Sequence, residues 1–172
     1  PASNGDCADK YAAKALLARV HRQLGNYAEA LTAANDVLAN SGHSLASSFA
    51  GAFNNDSDSS EDIFAFQVTS QDGSNALVTH YAAMVFGGRG GDIVVDTYRS
   101  LFDSALDVRR GFFYISPDSG AICTYKYTNE YGNVPTLRIG EMHLIRAEAN
   151  FRLGSSTGLA PLTEINALRA RS

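Results

Sequence analysis

The sequence predicts a mainly α-helical protein in which two helical hairpins flank a loop-rich insertion that carries short β-strands. Apolar residues recur at helical spacing near both ends of the chain, whereas the middle alternates apolar and polar residues or turns at Gly and Pro. We expect a single domain over residues 1–172, with hairpins at 6–41 and 136–172 and the insertion at 42–135.

The composition is that of a soluble globular protein, with 45% hydrophobic and 19% charged residues. The net charge is −4 and no basic patch is present, which argues against nucleic acid or an anionic membrane surface as a partner. No apolar run reaches the roughly 18 residues that a membrane-spanning helix needs. Because the chain begins without Met and stops within a helical pattern, we interpret it as a piece of a longer protein.

The first hairpin consists of two predicted helices joined at a tight turn. The first covers residues 6–24, with Asp6 or Asp9 as its N-terminal cap and Gly25 as its left-handed C-terminal residue. Its predicted core face is Ala13, Leu16, Leu17, Val20 and Leu24. The second covers residues 27–40, with a core face of Ala30, Leu31, Ala34, Val37 and Leu38.

The insertion shows a different pattern. In chain order we predict a polar loop, a strand, a mobile Gly-rich loop, a short helix and a pair of strands, at 54–62, 63–68, 86–92, 95–107 and 112–128. The two strands of the pair meet at SPDSG, a turn sequence. Long loop-rich insertions in a compact scaffold are usually functional, so we expect a ligand site here.

The second hairpin repeats the pattern of the first. Residues 15–25 align with 144–154 at a constant offset of 129, which pairs Ala18 with Ala147. Its second helix has a predicted apolar face of Leu159, Leu162, Ile165 and Leu168. Both hairpins resemble tetratricopeptide units, the helix–turn–helix repeats of about 34 residues.

Two carboxylates in this hairpin raise the question of catalysis. Glu141 and Glu148 lie seven positions apart, on one face of a helix. Each has an arginine at helical spacing, Arg138 before the first and Arg152 after the second. We therefore predict structural ion pairs, or hydrogen bonds to the neighbouring hairpin through Arg169, rather than a glycosidase pair.

No metal or cofactor site is predicted. The four histidines are scattered, and the two cysteines, Cys7 and Cys123, have no metal-ligand spacing. Whether the cysteines form a disulfide stays open. The acidic run at 54–62 lacks the central Gly and the closing Glu of a calcium loop, so we predict a solvated loop. The segment GGRGG lacks the Lys that follows in a phosphate loop.

Motifs near the C-terminus resemble the SusD/RagB family, the starch-utilisation-type outer-membrane lipoproteins of Bacteroidetes. That family has a helix of the form R-x-x-E-x-x-L-x-x-A-E-A followed by I-N-x-x-R-x-R. The matching residues here are Arg138, Glu141, Leu144, Ala147, Glu148 and Ala149, then Ile165, Asn166, Arg169 and Arg171. Weaker similarities, such as SEDIFAFQ and ALDVRRGFFY, extend the resemblance over nearly the whole chain.

The resemblance implies binding without catalysis. SusD-like proteins capture oligosaccharides or polysaccharides at the cell surface and lie over a SusC-like TonB-dependent outer-membrane porin. They are held to the membrane by a lipid anchor, which would lie outside these residues. The matched polar residues, Arg138, Glu141, Glu148, Asn166 and Arg169, would then serve the scaffold rather than the ligand.

Candidate ligand residues come from the Gly-rich part of the insertion. Sugars bind by stacking apolar ring faces on aromatic side chains while polar groups bond to their hydroxyls. The chain has no Trp. We predict Tyr81 and Phe86 as stacking residues, with Asn75, Arg89 and Asp92 as hydroxyl partners.

Two other functions stay open. A helical-repeat adaptor for a protein partner would show an apolar patch on the hairpins and no affinity for sugar. A hydrolase is disfavoured, because the motifs assemble no nucleophile, base and orienting group.

Overall fold

The computed structural model describes residues 7–89, 100–102 and 107–171. The chain divides into two compact units. We call the first the helical unit; it comprises Pro1–Ala46, Asp58–Phe66 and Pro135–Arg171. The second, the loop unit, comprises Ser47–Ser57, Gln67–Val134 and Ser172. The expected mainly helical, tetratricopeptide-like fold is confirmed. The single domain over 1–172 stays a prediction.

The first helix, α1, spans Lys10–Leu24, so it begins four residues later than predicted and ends at the predicted residue. Of the two candidate caps, Asp9 is the one that acts: its carboxylate accepts hydrogen bonds from the backbone N–H groups of Tyr11 and Ala12, both at 2.8 Å. Gly25 ends the helix in the left-handed conformation, with φ of 78°.

The predicted core face of α1 is wrong. The buried residues are Ala12, Ala15 and Ala18, while Leu16, Leu17, Val20 and Leu24 are all exposed. The physical reason is the close packing between α1 and its neighbour, since alanines let two helix backbones approach where leucines would hold them apart. Small residues carry little hydrophobic signal, so the leucines dominated the sequence pattern.

The second helix, α2, spans Tyr27–Asn40. Its buried residues are the predicted ones, Ala30, Leu31, Ala34 and Val37, and Leu38 packs at the edge of the core. Two of its alanines, Ala30 and Ala34, join Ala15 and Ala18 of α1 in one buried cluster, all with no exposed surface. The first hairpin is therefore closed by alanine packing.

The second hairpin consists of α4, Ile139–Leu153, and α5, Pro161–Arg169. Gly154 ends α4 in the left-handed conformation, and Pro161 occupies the first turn of α5, where its missing N–H costs nothing. The predicted apolar face of α5 is wrong: Leu162 is 69% exposed and Ile165 39% exposed, and the residue with no exposure is Glu164.

In the helical unit α2 packs against both α1 and α4, α4 also packs against α5, and α1 makes a smaller direct contact with α4. Strand β1, Asp62–Phe66, pairs with β4, Val134–Arg138, in a two-stranded sheet. The predicted strand at 63–68 thus ends two residues early. Ile63 of β1 and Leu137 of β4 complete the core beneath the helices.

The loop unit contains α3, Ala76–Tyr81, and the antiparallel strands β2, Phe113–Ile115, and β3, Ile122–Thr124. The strand pair confirms the prediction for 112–128, with Tyr114 opposite Cys123 in the register. Short 3-10 turns lie at Ala50–Ala52, Met84–Phe86, Val108–Gly111 and Tyr125–Tyr127. The helix predicted at 95–107 lies mostly outside the described residues.

Candidate functional site

Aromatic side chains form a connected cluster in the loop unit. Neighbouring ring centroids lie between 4.7 Å, for Tyr114 and Tyr125, and 6.2 Å, for Phe86 and Tyr125. We call this the aromatic cluster; its members are Phe49, Phe53, Phe86, Phe112, Tyr114 and Tyr125. Every member is half-buried, so the rings support one another and also keep surface open to solvent.

Local structure brings these rings together from distant positions. The 3-10 turn at Ala50–Ala52 carries Phe49 and Phe53 to within 5.2 Å of each other. On the other side, the backbone N–H of Tyr125 donates to the carbonyl of Phe112 at 3.1 Å, which extends the β2–β3 pairing and aligns both rings. The phenol oxygen of Tyr114 accepts from the backbone N–H of Ala83 at 2.8 Å and so joins the hairpin to the segment that bears Phe86.

Of the predicted stacking residues, Phe86 is thus a member of the cluster. Tyr81, at the end of α3, instead pairs with Tyr127, at 5.3 Å between ring centroids, and both rings are half-buried. The ammonium of Lys126 adds a positive charge over the rings of Phe49 and Phe53, at 5.8 and 5.3 Å from their centroids. Aromatic faces and a polar group therefore occur together.

The predicted polar residues differ in how much of each side chain is available. The carbonyl oxygen of the Asn75 side chain caps α3 by accepting from Val78, and its amide donates to the carbonyls of Asn129 and Gly132. Asn75 therefore has a structural role. Arg89 is exposed, and its backbone N–H donates to the carbonyl of Thr79 at 3.2 Å. Asp92 lies outside the described residues.

The start of the Gly-rich loop makes close contacts with the segment before it, and the mobility predicted for the loop stays a prediction. Gly87 has a φ of 86°, and a Cβ on Gly88 would stand 1.7 Å from the carbonyl oxygen of Ala82. The backbone N–H of Gly88 also donates to the carbonyl of Ala83 at 3.1 Å. Only glycine permits such a close approach between two backbone segments.

The acidic run at 54–62 is not simply a solvated loop. Asn54, in the left-handed conformation with φ of 60°, accepts hydrogen bonds from the backbone of Thr128 and Asn129 and donates to the carbonyl of Tyr125. This clasp supports the turn that carries Tyr125.

At the other end of the acidic run, Glu61 and Asp62 are 1% and 2% exposed. Burial raises the pKa of Asp62. The hydrogen bonds from Ser59 and the nearby charge of Arg138 both lower this pKa, but burial has the larger effect.

Buried Glu61 is paired with Arg171, the last arginine of the I-N-x-x-R-x-R pattern. Its Oε1 also accepts from the backbone N–H of Ala46 at 2.9 Å. Burial lowers the pKa of Arg171. Asn166 and Arg169, which the sequence analysis placed among the scaffold residues, are exposed on α5. Arg171 is therefore the residue of that pattern that pairs with a buried carboxylate.

Glu141 and Glu148 take arginine partners from α1. Arg19 donates to both oxygens of Glu141, at 2.7 and 2.5 Å, and Arg22 donates to Glu148 at 2.9 Å. The hydrogen bond to Glu141 raises the pKa of Arg19, more than burial lowers it. Arg152 also lies 3.7 Å from Glu148, as the spacing predicts. The link between hairpins expected through Arg169 is thus made by Arg19 and Arg22, since their side chains reach across from the neighbouring helix.

The ion pair between Arg146 and the fully buried Glu164 was not predicted from the sequence. Arg146 donates to both oxygens of Glu164, at 2.6 to 3.1 Å, and His143 Nδ1 lies 2.6 Å from the same carboxylate. Burial would raise the pKa of Glu164, but the hydrogen bonds and charges of His143 and Arg146 together lower it. The only sequence signal was one acidic residue amid the apolar spacing of α5.

Within the described ranges, no three His, Cys, Asp or Glu side chains are grouped to hold a metal ion. The two cysteines there are not joined in a disulfide; Cys7 is exposed and Cys123 is buried. None of the helices that the structure describes is long and apolar enough to cross a membrane.

Known structures share this fold. No protein-family model and no curated protein matches the chain. A SusD superfamily protein from Bacteroides vulgatus ATCC 8482 superimposes with a TM-score of 0.79 at 21% identity, covering 99% of this chain and 42% of that one. A SusD-like carbohydrate binding protein from the same organism gives 0.74 at 22% identity, covering 98% and 38%. Surface glycan-binding protein A from Bacteroides uniformis gives 0.72 at 19%, covering 93% and 41%.

The chain therefore has the fold of the SusD superfamily, and the predicted resemblance to the SusD/RagB family is confirmed at the level of the fold. It spans about two-fifths of the length of these structures.

Proposed function

We propose that this chain is part of a SusD-like protein that binds oligosaccharide or polysaccharide without cleaving it, and that the aromatic cluster of the loop unit is the contact surface. The observation that carries the proposal is the half-buried cluster itself. In a purely structural core the rings would be fully covered, whereas these residues keep part of their surface exposed, as stacking on a sugar requires.

The polar surroundings support the same ligand. Sugar hydroxyls take hydrogen bonds from side chains at the rim of an aromatic surface. Lys126 stands over two of the rings, and the carboxylate of Asp118, on the exposed turn of the hairpin, accepts from the backbone of Met84 beside Phe86. Arg89, Tyr81 and Asp92 remain proposed ligand residues, and Asn75 is proposed only to position α3.

The test is affinity electrophoresis and glycan-array binding of the chain and of single variants. We expect Phe86→Ala and Arg89→Ala each to weaken binding by about 5- to 150-fold, as the loss of stacking or hydroxyl contacts of about 1–3 kcal/mol would. The control is Phe66→Ala, which removes an aromatic ring that is 59% exposed on β1 of the helical unit. Binding that survives both site variants, or that Phe66→Ala removes equally, overturns this site.

Absence of catalysis is part of the proposal. Glu141 and Glu148, the carboxylates spaced along α4, are each held by arginine, which suits a scaffold better than an acid–base pair. Incubation of the chain with any glycan that it binds should leave the glycan length unchanged. Shorter products that disappear in Glu141→Gln would overturn this part.

The finer features rest on the resemblance. We propose a SusC-like TonB-dependent porin as the partner, uptake of the glycan as the purpose, and a lipid anchor that lies outside these residues and holds the protein at the outer-membrane surface. Co-purification of the protein with a porin from detergent-solubilised outer membranes tests the partner and the outer-membrane location. Recovery of the protein without a porin would remove the partner from the proposal.

One observation favours the rival function, a helical-repeat adaptor for a protein. Several large apolar residues are exposed on α1 and α4, including Leu17, Leu24 and Phe151. An adaptor would bind no glycan in a broad panel. Its apolar surface would bind a protein, and no glycan would compete with that protein. The glycan array therefore separates the two functions.

A further inference from the structure

Glu130, in the loop unit, carries a half-buried carboxylate with no role in holding the fold together. Among the residues that the structure describes, none donates a hydrogen bond to this carboxylate or forms an ion pair with it. The backbone of the residue is fixed, because its carbonyl accepts from the N–H of Asn75 at 2.9 Å, at the start of α3. An ionised carboxylate is an acceptor with two oxygens, so this one is available to a ligand that brings donors.

The carboxylate lies against Gly87, the residue that follows Phe86 of the aromatic cluster. A Cβ on Gly87 would stand 1.9 Å from Oε1 of Glu130 and 2.5 Å from its carboxyl carbon. The backbone N–H groups of Gly87 and Gly88 do not bind it, because both donate to carbonyls earlier in the same loop. The missing side chain at Gly87 therefore gives the carboxylate its place beside the cluster.

The residues just before Glu130 join two aromatic surfaces. The 3-10 turn Tyr125–Tyr127 contributes its first ring to the aromatic cluster and its last ring to the pair with Tyr81, at 5.3 Å between centroids. Glu130 contacts both ends of the segment 75–87, which carries the partner rings of these two tyrosines. The carboxylate is thus held by the same two segments that build both aromatic surfaces.

A carboxylate beside aromatic rings suits a neutral sugar. Two adjacent hydroxyl groups of a sugar ring can donate to the two oxygens of one carboxylate, and such charge-assisted hydrogen bonds are about twice as strong as neutral ones. The same carboxylate disfavours a sugar that carries a negative charge, because like charges brought together at an interface repel. The group therefore discriminates by charge as well as by the presence of hydroxyls.

We propose that Glu130 is a specificity-determining ligand residue, whose carboxylate accepts hydrogen bonds from adjacent hydroxyls of a neutral sugar that stacks on the neighbouring rings. This inference rests on the proposed function, because it requires the aromatic cluster to bind glycan. It goes further by naming the substrate class: neutral glycans with unsubstituted adjacent hydroxyls, in preference to acidic ones.

Affinity electrophoresis with a matched pair of probes tests the proposal. The neutral probe is the hexose polysaccharide that the chain binds most tightly in a panel of neutral polymers. The acidic probe is the same polysaccharide after oxidation of its primary alcohols to carboxylates. We expect the wild type to bind the neutral probe at least about tenfold more tightly than the acidic probe.

Two substitutions separate the hydrogen bonds from the charge. Glu130→Ala should weaken binding of the neutral probe about tenfold or more, because the acceptors are lost. Glu130→Gln keeps the shape of the side chain but removes its charge, so it should reduce the preference for the neutral probe to less than about threefold. A purely structural residue would change the affinity for both probes equally.

The charge control is Glu29→Gln, at an exposed position of α2 in the helical unit, which should leave both affinities unchanged. The Tm of each variant should stay within about 2 °C of the wild type. A lowered Tm with equal weakening of both probes would assign Glu130 a structural role and overturn the proposal.

The remaining outcomes distinguish this proposal from the proposed function. Wild-type affinity in both Glu130→Ala and Glu130→Gln, together with weakened binding in Phe86→Ala, overturns the role of Glu130 and leaves the glycan site standing. A wild type that binds only acidic glycans has the same meaning. A wild type that binds no glycan of either kind overturns both proposals.

Discussion

Glu164 is a fully buried carboxylate whose charge is balanced by neighbours on α4. Removing one partner of a buried ion pair leaves the other charge uncompensated, at a cost of about 3–5 kcal/mol. We therefore expect Glu164→Gln to lower the free energy of unfolding by about that amount at neutral pH, measured by urea unfolding. Arg169→Gln, on the exposed side of the same helix, should change it by less than about 0.5 kcal/mol. Equal effects would show that the ion pair does not stabilise the fold.

The difference in free energy of unfolding between the wild type and Glu164→Gln should depend on pH, because the carboxylate of Glu164 titrates. The pKa of Glu164 is lowered in the folded chain relative to its ordinary value of 4.5. Its contribution to stability is thus present above pH 4.5 and is lost as pH falls through the folded pKa. We expect the stability difference between the wild type and Glu164→Gln to shrink in that acid range. A difference that stays constant down to pH 3, on the order of one or two units below the ordinary value, would contradict this.

Gly88 is required by the close approach of two backbone segments. A Cβ at this position would stand 1.7 Å from the carbonyl oxygen of Ala82, and backbone cannot move aside as a side chain can. We expect Gly88→Ala to destabilise the loop unit by about 1–3 kcal/mol or more, followed by tyrosine fluorescence during urea unfolding. Gly111→Ala is the matched control, because a Cβ there meets nothing within 4 Å. Comparable stability of the two variants would show that the approach is not tight.

At the scale of the elements, alanine packing between α1 and α2 sets how closely the first hairpin closes. Ala18 has no exposed surface, so Ala18→Leu should overpack the crossing and cost about 1–3 kcal/mol in thermal or urea unfolding. Ala13→Leu, on the exposed side of α1, should be nearly neutral, since Ala and Leu have similar helix propensities. If Ala18→Leu is equally neutral, the crossing has room that the structure does not show.

The presence of α1, α2, α4 and α5 and the bounds of α2 could be predicted from the sequence, but α3, the start of α1 and some buried faces could not. For α2 the large residues and the alanines share one side, so the hydrophobic pattern identified the core. For α1 they lie on opposite sides, and periodicity cannot tell which apolar face is covered within this chain. In α5 the core position is held by Glu164, whose burial depends on a partner in another helix.

The candidate site was predictable only in part, for a related reason. Tyr81, Phe86 and Arg89 were found because they flank a Gly-rich segment. The remaining rings of the aromatic cluster come from three separate stretches, near Phe49, Phe112 and Tyr125, which approach through the Asn54 clasp and the β2–β3 register. Contacts at such sequence separations leave no local pattern.

At the scale of the whole molecule, charge bears on the proposed ligand. The net charge is −4, and stacking on aromatic rings and hydrogen bonds to hydroxyls are little affected by ionic screening. For a neutral glycan we expect the Kd to change less than about twofold between about 0.05 and 0.5 M NaCl, measured by calorimetry. A large loss of affinity in salt would instead indicate an acidic glycan held by Arg89 or Lys126.

The ion pairs of the helical unit also set an order for events during synthesis. Arg19 and Arg22 bind partners 122 and 126 positions later in the chain, and Glu61 forms its ion pair with Arg171, near the end of the chain. A ribosome delivers the chain from its N-terminus, so α1 and α2 leave the exit tunnel long before α4 and α5 can cover them. All segments of the loop unit from Ser47 to Val134 emerge in that interval. The nascent first hairpin, with apolar surface on both faces of α1, is therefore the stage at which a chaperone has most to bind.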